Sequence, residues 1–543
     1  MKIVLLGDVG SAGGYHAGDE AMAEAVADEL AARTALEVVA LSGDQEDTIA
    51  RYGWGTVPRI GFADMASDEE RDARLAAVLE AAGGESSALA WDDPAWQVLH
   101  AVAEADGVVI SGGGNLSSTW PEHVYERAAL AGLAARFAKP HVVTGQTLGP
   151  HLTARHGELV GRVLTSAALV GIREAPSYEL ARQLGMPEDR LARVVDDAAY
   201  LDTAADTDEL PPGPYIAATF APATGLSSPE EYVASVAALL DSVAGTELRV
   251  VLVPHHATRG ADGPTGDLAV HEAIAHAVTT ARVDVLEPVT ARRAARLVAH
   301  AELVLSTRYH PVVFAAAAGV PAVGVGVDAY TSTKIHGSLE NYGLGALAFS
   351  VASLVRGELA EIVADVRARA DEVRAHLATV DATRRPERTV WWDAVHAALS
   401  GSRVPAVPFA EVPSFEDGRW FPAATALREW SEVVSARFEA ERLAGTEERD
   451  RARELVARVD ELERERADLA ADLALTRDEV DTLRIANEAA HALVSDPLRP
   501  LATWMEGLPT IESLRSELDA VYSTRTFRML ERPRRIYGRL RPR

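Results

Sequence analysis

LVLSTRYHPVVFAAAAGVPAVGVGV, residues 303–327, decides the fold of this chain. It opens on apolar residues that do not alternate with polar ones, the mark of a strand buried on both faces. Pro311 suits the first turn of a helix, and VVFAAAAG carries small side chains that let a helix pack closely. Gly319 and Pro321 break the run, and AVGVGV follows as a second buried strand. Strand, helix and strand in that order build a parallel sheet.

The unit recurs along the chain. KIVLLGD, VVALSGD, GVVISGGG, HVVTGQTLGP, ALVGIREA and RVVDDAAYL come first, then YIAATFAP, RVVLVPHH and VDVLEP. Helical patterns separate them. The expected fold class is α/β: two doubly wound parallel-sheet domains facing a cleft, followed by a C-terminal coiled-coil helix. The acidic stretch 203–214, with three prolines, marks the seam. An N-terminal α/β domain is expected over 1–203, a C-terminal α/β domain with closing helices over 204–400, and a Pro-rich linker over 401–422. A coiled coil is expected over 423–490. Within it Leu455, Val459, Leu462, Arg466, Leu469, Leu473, Thr476, Val480, Leu483 and Asn487 keep 4-3 spacing. That seam predicts a homo-oligomer; the alternative is one helix lying on its own domain. The basic tail 491–543 carries eight Arg against one Glu from residue 521 onward. It suits an anionic membrane face, or a solvated tail.

Lys and Arg number 53 and Asp and Glu 81, a net charge of −28, which argues against nucleic acid as a partner. Without cysteine the chain has no disulfide, thiolate zinc site or cysteine nucleophile. The opening MKIVLLGDVG is a poor signal peptide, and no apolar run reaches membrane-spanning length. A cytoplasmic protein, possessing at most a peripheral contact at the inner membrane face, is expected.

Chemistry gathers at the strand ends, where open α/β sheets bind ligands. Arg308 and His310, two apart on one strand face, precede a helix N-terminus: an anion site beside an acid/base. The blander reading makes Arg308 a cap and His310 a core residue. GDVGSAGGYHAGDEAM (7–22) lacks clean G-x-G-x-x-G spacing, so a dinucleotide cofactor is not expected. It does set Asp19 at a helix start, as a functional acid or a simple cap. In ISGGGNLSSTWPEH (110–123), Gly113 and Gly114 admit a ligand to the backbone and Asn115 offers hydrogen bonds. Trp120 either stacks on a sugar or fills core. Gln146 and Arg173 mark further strand ends. His255 and His256 are adjacent and diverge on a strand, so no metal is expected. Lys334 and His336 read as a loop. Arg173, Arg308 and Lys334 would bring three cations to one cleft of an acidic protein, and a small, highly charged anion is the natural guest.

This order of motifs resembles the polysaccharide pyruvyl transferase family over residues 1–350. The resemblance rests on Gly18-Asp19-Glu20, Ser111-Gly112-Gly113-Gly114, the GQTLGP segment, Arg173 with Ser177, Asp196 or Asp197, Arg308-x-His310, and Gly319-Val320-Pro321 followed by Lys334. It implies a GT-B-like architecture and phosphoenolpyruvate as donor substrate, with no separate cofactor. The acceptor would be sugar hydroxyls of a cell-surface polysaccharide or its lipid-linked precursor. Arg173, Arg308 and Lys334 would then clamp the donor, His310 would act as general acid, and Asp19 would orient or deprotonate the acceptor. Gly113, Gly114, Asn115, Gln146 and Trp120 would contact the acceptor. The coiled coil and tail fall outside the family core. Two rival readings are a GT-B glycosyltransferase using a nucleotide sugar and a non-catalytic coiled-coil scaffold in envelope glycan assembly.

Overall fold

The computed structural model describes residues 1–488, apart from 11–13, 86, 223–226, 246–247, 261–262 and 416–420, together with 512, 515–516 and 519–520. Two units result, Met1–Arg437 and Phe438–Arg543.

The apolar runs form strands, most of them buried along nearly their whole length. In the first sheet these are β1 (Lys2–Leu6), β2 (Glu37–Ser42), β3 (Gly55–Pro58), β4 (Gly107–Ile110), β5 (Gly113–Leu116), β6 (His141–Leu148), β7 (Leu169–Ile172) and β8 (Leu191–Arg193). They lie parallel in the order β3-β2-β1-β4-β6-β7-β8, with β5 beside β6. The second sheet holds β9 (Tyr215–Thr219) and β10 (Arg249–Leu252). After the short antiparallel pair β11 (Arg259–Gly260) and β12 (Gly263–Pro264) it continues with β13 (Arg282–Val285), β14 (Leu303–Ser306), β15 (Ala322–Gly326) and β16 (Ala348–Ser350). Its order is β13-β10-β9-β14-β15-β16, again parallel. Both sheets are doubly wound and the architecture is GT-B-like. Strand order reverses between β1 and β4 and between β9 and β14, and the carboxyl ends at these two crossovers open toward one cleft.

Two helices tie the halves together. Ala17–Ala31 is buried almost all round. Ala21, Met22 and Ala25 pack into the second half's core, while Ala23, Val26 and Leu30 pack under β1 and β4. This double burial explains why the helix shows no amphipathic stripe, and it sets Asp19, in its first turn, at the junction. The late helix Ala370–Leu399 returns to the first sheet, where Trp391, Trp392 and Val395 cover Ile3, Leu5, Val109 and Val142.

Two local expectations change. The structure places Lys334 and His336 within the helix Ala329–Glu340, not on a loop. An Asp328–Thr331 capping box starts that helix immediately after β15. Arg308 and His310 do not share a strand face either. The strand ends at Ser306, Arg308 is the N-cap, and His310 lies in the first turn of the helix Tyr309–Ala318.

A helix runs over Phe421–Glu488. In the first unit its Arg428 donates to the carbonyls of Gly345 and Ala348, at 3.0 and 3.2 Å. In the second unit Leu455, Val459, Leu462 and Leu473 are half-buried and Leu469 is exposed. The positions Val480, Leu483 and Asn487 are helical, and nothing further is described of their side chains. The tail, apart from the few residues given above, lies outside the described residues. Among the described residues no helix is long and apolar enough to cross a membrane.

Candidate active site

A cavity of about 560 Å³ occupies the cleft. Its walls include Asp8, Asp19, Trp120, His123, Arg308, His310 and Lys334. The first half also brings Arg59 and Arg173 to this wall, so both halves supply cations to the cleft.

Arg308 is held by Asp267, a fully buried carboxylate. Nε and Nη2 donate to Oδ1 at 3.1 and 2.6 Å. The backbone N–H groups of His255 and His256 donate to Oδ2 at 3.0 and 3.1 Å. Burial opposes the charge on Asp267, but Arg308 outweighs it and holds the carboxyl below its ordinary value. Arg308 Nη1 has no partner among the described residues. Arg173 is buried more deeply. Its Nε donates to Thr147 Oγ1 at 2.8 Å and Glu174 Oε1 at 3.0 Å, Nη1 pairs with Asp196, and the guanidinium lies 4.4 Å from the Tyr309 ring centre.

Lys334 differs from both arginines. Its Nζ lies 3.8 Å from the Tyr330 ring centre and 5.6 Å from that of Tyr309. Among the described residues no carboxylate stands within ion-pair distance of it. Burial first, then the neighbouring Arg173, brings its amine down to about 7.

His310 packs against Gly18 so closely that a Cβ there would overlap the imidazole. Its Nε2 has no hydrogen-bond partner among the described residues. Burial, then Arg173, His16 and Lys334, hold the ring well below the usual imidazole range. The Asp19 backbone N–H donates to His16 Nδ1 at 3.4 Å, and the Asp19 carboxylate Oδ2 lies 3.2 Å from the same nitrogen. Burial and the nearby Asp8 raise its carboxyl to about 6.

Trp120 is 42% exposed on the cavity wall, edge-on to His123. Asn115 donates to Asp8, and the Tyr330 hydroxyl donates to the Gly114 carbonyl at 2.8 Å, which joins the two halves across the cavity. Gly113 and Gln146 do not line it. Gln146 is fully buried and its amide donates to the Ser111 carbonyl at 2.7 Å, so it supports the glycine turn from below.

Several wall residues carry no motif in the sequence. Asp8 adopts φ 54°, in the left-handed region, directly after β1. It pairs with Arg127, with Arg59 at 2.8 Å and with His123 at 3.3 Å. Burial opposes its charge, but these partners hold the carboxyl well below its ordinary value. Ligand atoms of Asp8, His123 and Glu126 all lie within 4.8 Å of one another. However, Arg59 and Arg127 already neutralise both carboxylates, so a cation would have to displace them. The signal for Asp8 was available in its place at the first strand end. That for Arg59, Glu126 and Asp267 was not, because only tertiary structure brings them to the cleft.

A family model described as polysaccharide pyruvyl transferase matches residues 16–329, more than half of the chain. No curated protein matches it. Among solved structures the chain is similar to Anabaena HepE, crystallised with UDP and glucose, at 14% identity over 74% of this chain and 100% of that one, with a TM-score of 0.46. It is similar to the Neisseria meningitidis UDP-GlcNAc 2-epimerase bound to UDP-GlcNAc, at 10% identity over 72% and 100%, with a TM-score of 0.46. The Acinetobacter baumannii MurG structure matches at 14% identity over 71% and 95%, with a TM-score of 0.41.

Proposed function

The chain belongs to the polysaccharide pyruvyl transferase family, and on that premise we propose that it transfers a pyruvyl group from phosphoenolpyruvate to sugar hydroxyls of a cell-surface polysaccharide or its lipid-linked precursor. The observation that carries the donor assignment is one cavity whose walls hold Arg308, with a free Nη1, Lys334, without a carboxylate partner, and His310, with an unpaired Nε2. A small anion with carboxylate and phosphate oxygens supplies the acceptors these groups lack, and charge-assisted bonds of this kind are short and strong.

In the reaction, a proton reaches the donor's methylene carbon and leaves an oxocarbenium-like centre at the neighbouring carbon. A sugar hydroxyl bonds there and gives its proton to Asp19, on the first-half side of the cavity. The carbon–oxygen bond to phosphate breaks, phosphate leaves with the bonding pair, and a second hydroxyl closes a ketal as its proton passes to the departing phosphate. The Trp120 face, beside His123 and Asn115, suits the acceptor's sugar ring. We place the reaction in the cytoplasm, where the Arg-rich tail would bring the enzyme to a lipid-linked acceptor at the inner membrane face.

Calorimetric titration with phosphoenolpyruvate, beside UDP- and GDP-sugars, tests this. Phosphoenolpyruvate alone should bind, and Arg308→Ala should weaken it roughly ten- to a hundredfold, the value of a charge-assisted hydrogen bond. Binding of a nucleotide sugar instead would make the chain a glycosyltransferase, and binding of neither would favour the scaffold.

A further inference from the structure

We propose that Lys334, rather than His310, delivers the proton to the methylene carbon of the donor. This rests on the donor reading above and assigns a catalytic residue within it.

Geometry makes the case. The Asp328–Thr331 capping box fixes the start of the helix carrying Lys334, and Tyr330, four residues before it, is anchored on the Gly114 carbonyl of the other half. The ammonium rests on the faces of Tyr330 and Tyr309. The charged and titratable groups around it are Arg173 and Glu174 after β7, Asp328 at its own helix cap, Asp19 on the first helix, and His310 and Tyr309 at the start of the Tyr309–Ala318 helix. All but His310 have a hydrogen-bond or ion-pair commitment that Lys334 lacks, and the unpaired Nε2 of His310 is buried, whereas Lys334 is only half-buried on the cavity wall. Arg173 is tied to Asp196 and Glu174, Arg308 to Asp267, and neither guanidinium gives up a proton. Asp19 lies against the His16 cap, its Oδ2 3.2 Å from Nδ1. His310 lies among Arg173, His16 and Lys334, which repel a proton from its ring. Lys334 therefore combines a proton, an uncommitted nitrogen and a place on the cavity wall. Its amine, brought down to about 7 by burial and then by Arg173, is matched to exchange near neutral pH.

The step balances. The Nζ–H bond breaks as the donor's π electrons form the new C–H bond. Positive charge appears on the adjacent carbon and is quenched by the incoming hydroxyl oxygen. Neutral Lys334 then recovers a proton from water.

The chain has no cysteine, so in Lys334→Cys a single thiol is present, and alkylation with 2-bromoethylamine restores a primary amine at that position alone. Proton delivery can be read without a sugar, as washing of solvent deuterium into the methylene group of phosphoenolpyruvate, followed by NMR, with donor affinity measured in parallel. Lys334→Cys should weaken phosphoenolpyruvate binding roughly ten- to a hundredfold, as loss of a cation from the clamp does, and, with donor at saturation, lose roughly 10²–10⁴-fold in exchange rate. Aminoethylation should restore exchange and move the high-pH fall of the rate, because the thioether amine has a lower pKa. Exchange within about threefold of wild type in the unalkylated variant, rescue without a shifted pH limb, or a wild type that binds donor but never exchanges would each overturn the proposal. A wild type that does not bind phosphoenolpyruvate would instead remove the donor reading itself.

Discussion

Asp197 shows how strongly a single residue's surroundings control it. Its carboxyl accepts from the Gly112 N–H at 3.0 Å and from the Thr144 hydroxyl, with no arginine in direct contact among the described residues. Burial and then the like charge of Asp196 raise it to about 7. The folded state therefore keeps a proton that the unfolded chain releases near 3.8. Stability from this group is present below that value and is lost as pH rises toward about 7. Asp197→Asn should flatten this part of the stability curve, which chemical denaturation across pH 4 to pH 8 would measure; an unchanged slope would contradict the assignment. Asp196 or Asp197 was legible as a functional position after a strand. Their separate duties, one clamping Arg173 and one bracing the glycine turn, were not, since adjacent residues look alike until their partners are known.

At the scale of elements, the helix Ala17–Ala31 transmits position between the halves through a glycine. Gly18 leaves room for the His310 ring, and a Cβ would overlap it. Gly18→Ala should fold, lose about 1–3 kcal/mol as overpacked sites do, and lower phosphoenolpyruvate affinity, as thermal unfolding and calorimetry would show. Unaltered donor binding would mean that His310 need not hold its place. The long buried strands were readable because uninterrupted Val, Ile and Leu runs admit few other structures. The helix around Lys334 was less so: the polar DAYTSTK looks like a loop, and its D-x-x-T cap is a weak signal unless the strand before it is known to end. Gln146 read as a contact residue, but its side chain is fully buried and its amide is spent on the Ser111 carbonyl.

Across the whole molecule, the 4-3 seam is the feature whose effect reaches beyond one chain. Leu462 and Leu469 would be buried in a self-associated coil, although Leu469 is 45% exposed in the single chain. Light scattering should give wild type a mass at least twice 57.9 kDa and the double variant Leu462→Asp, Leu469→Asp the single-chain mass. A monomeric wild type would end the expectation of a homo-oligomer. The seam could be read from spacing alone, whereas the division of labour between the halves could not. The first sheet's cover arrives from residues 391–395, far outside the domain that contains the sheet.

That late cover has a consequence for synthesis. When residue 203 leaves the ribosome every strand of the first sheet exists, yet one face is covered only in part, by the helix Ala17–Ala31. The tryptophans that close it emerge roughly 10–40 s later at ordinary elongation rates. During that interval an open apolar surface must either wait, shielded by a chaperone, or gather partners of its own, so the first half of this protein completes its fold only after the second half has been made.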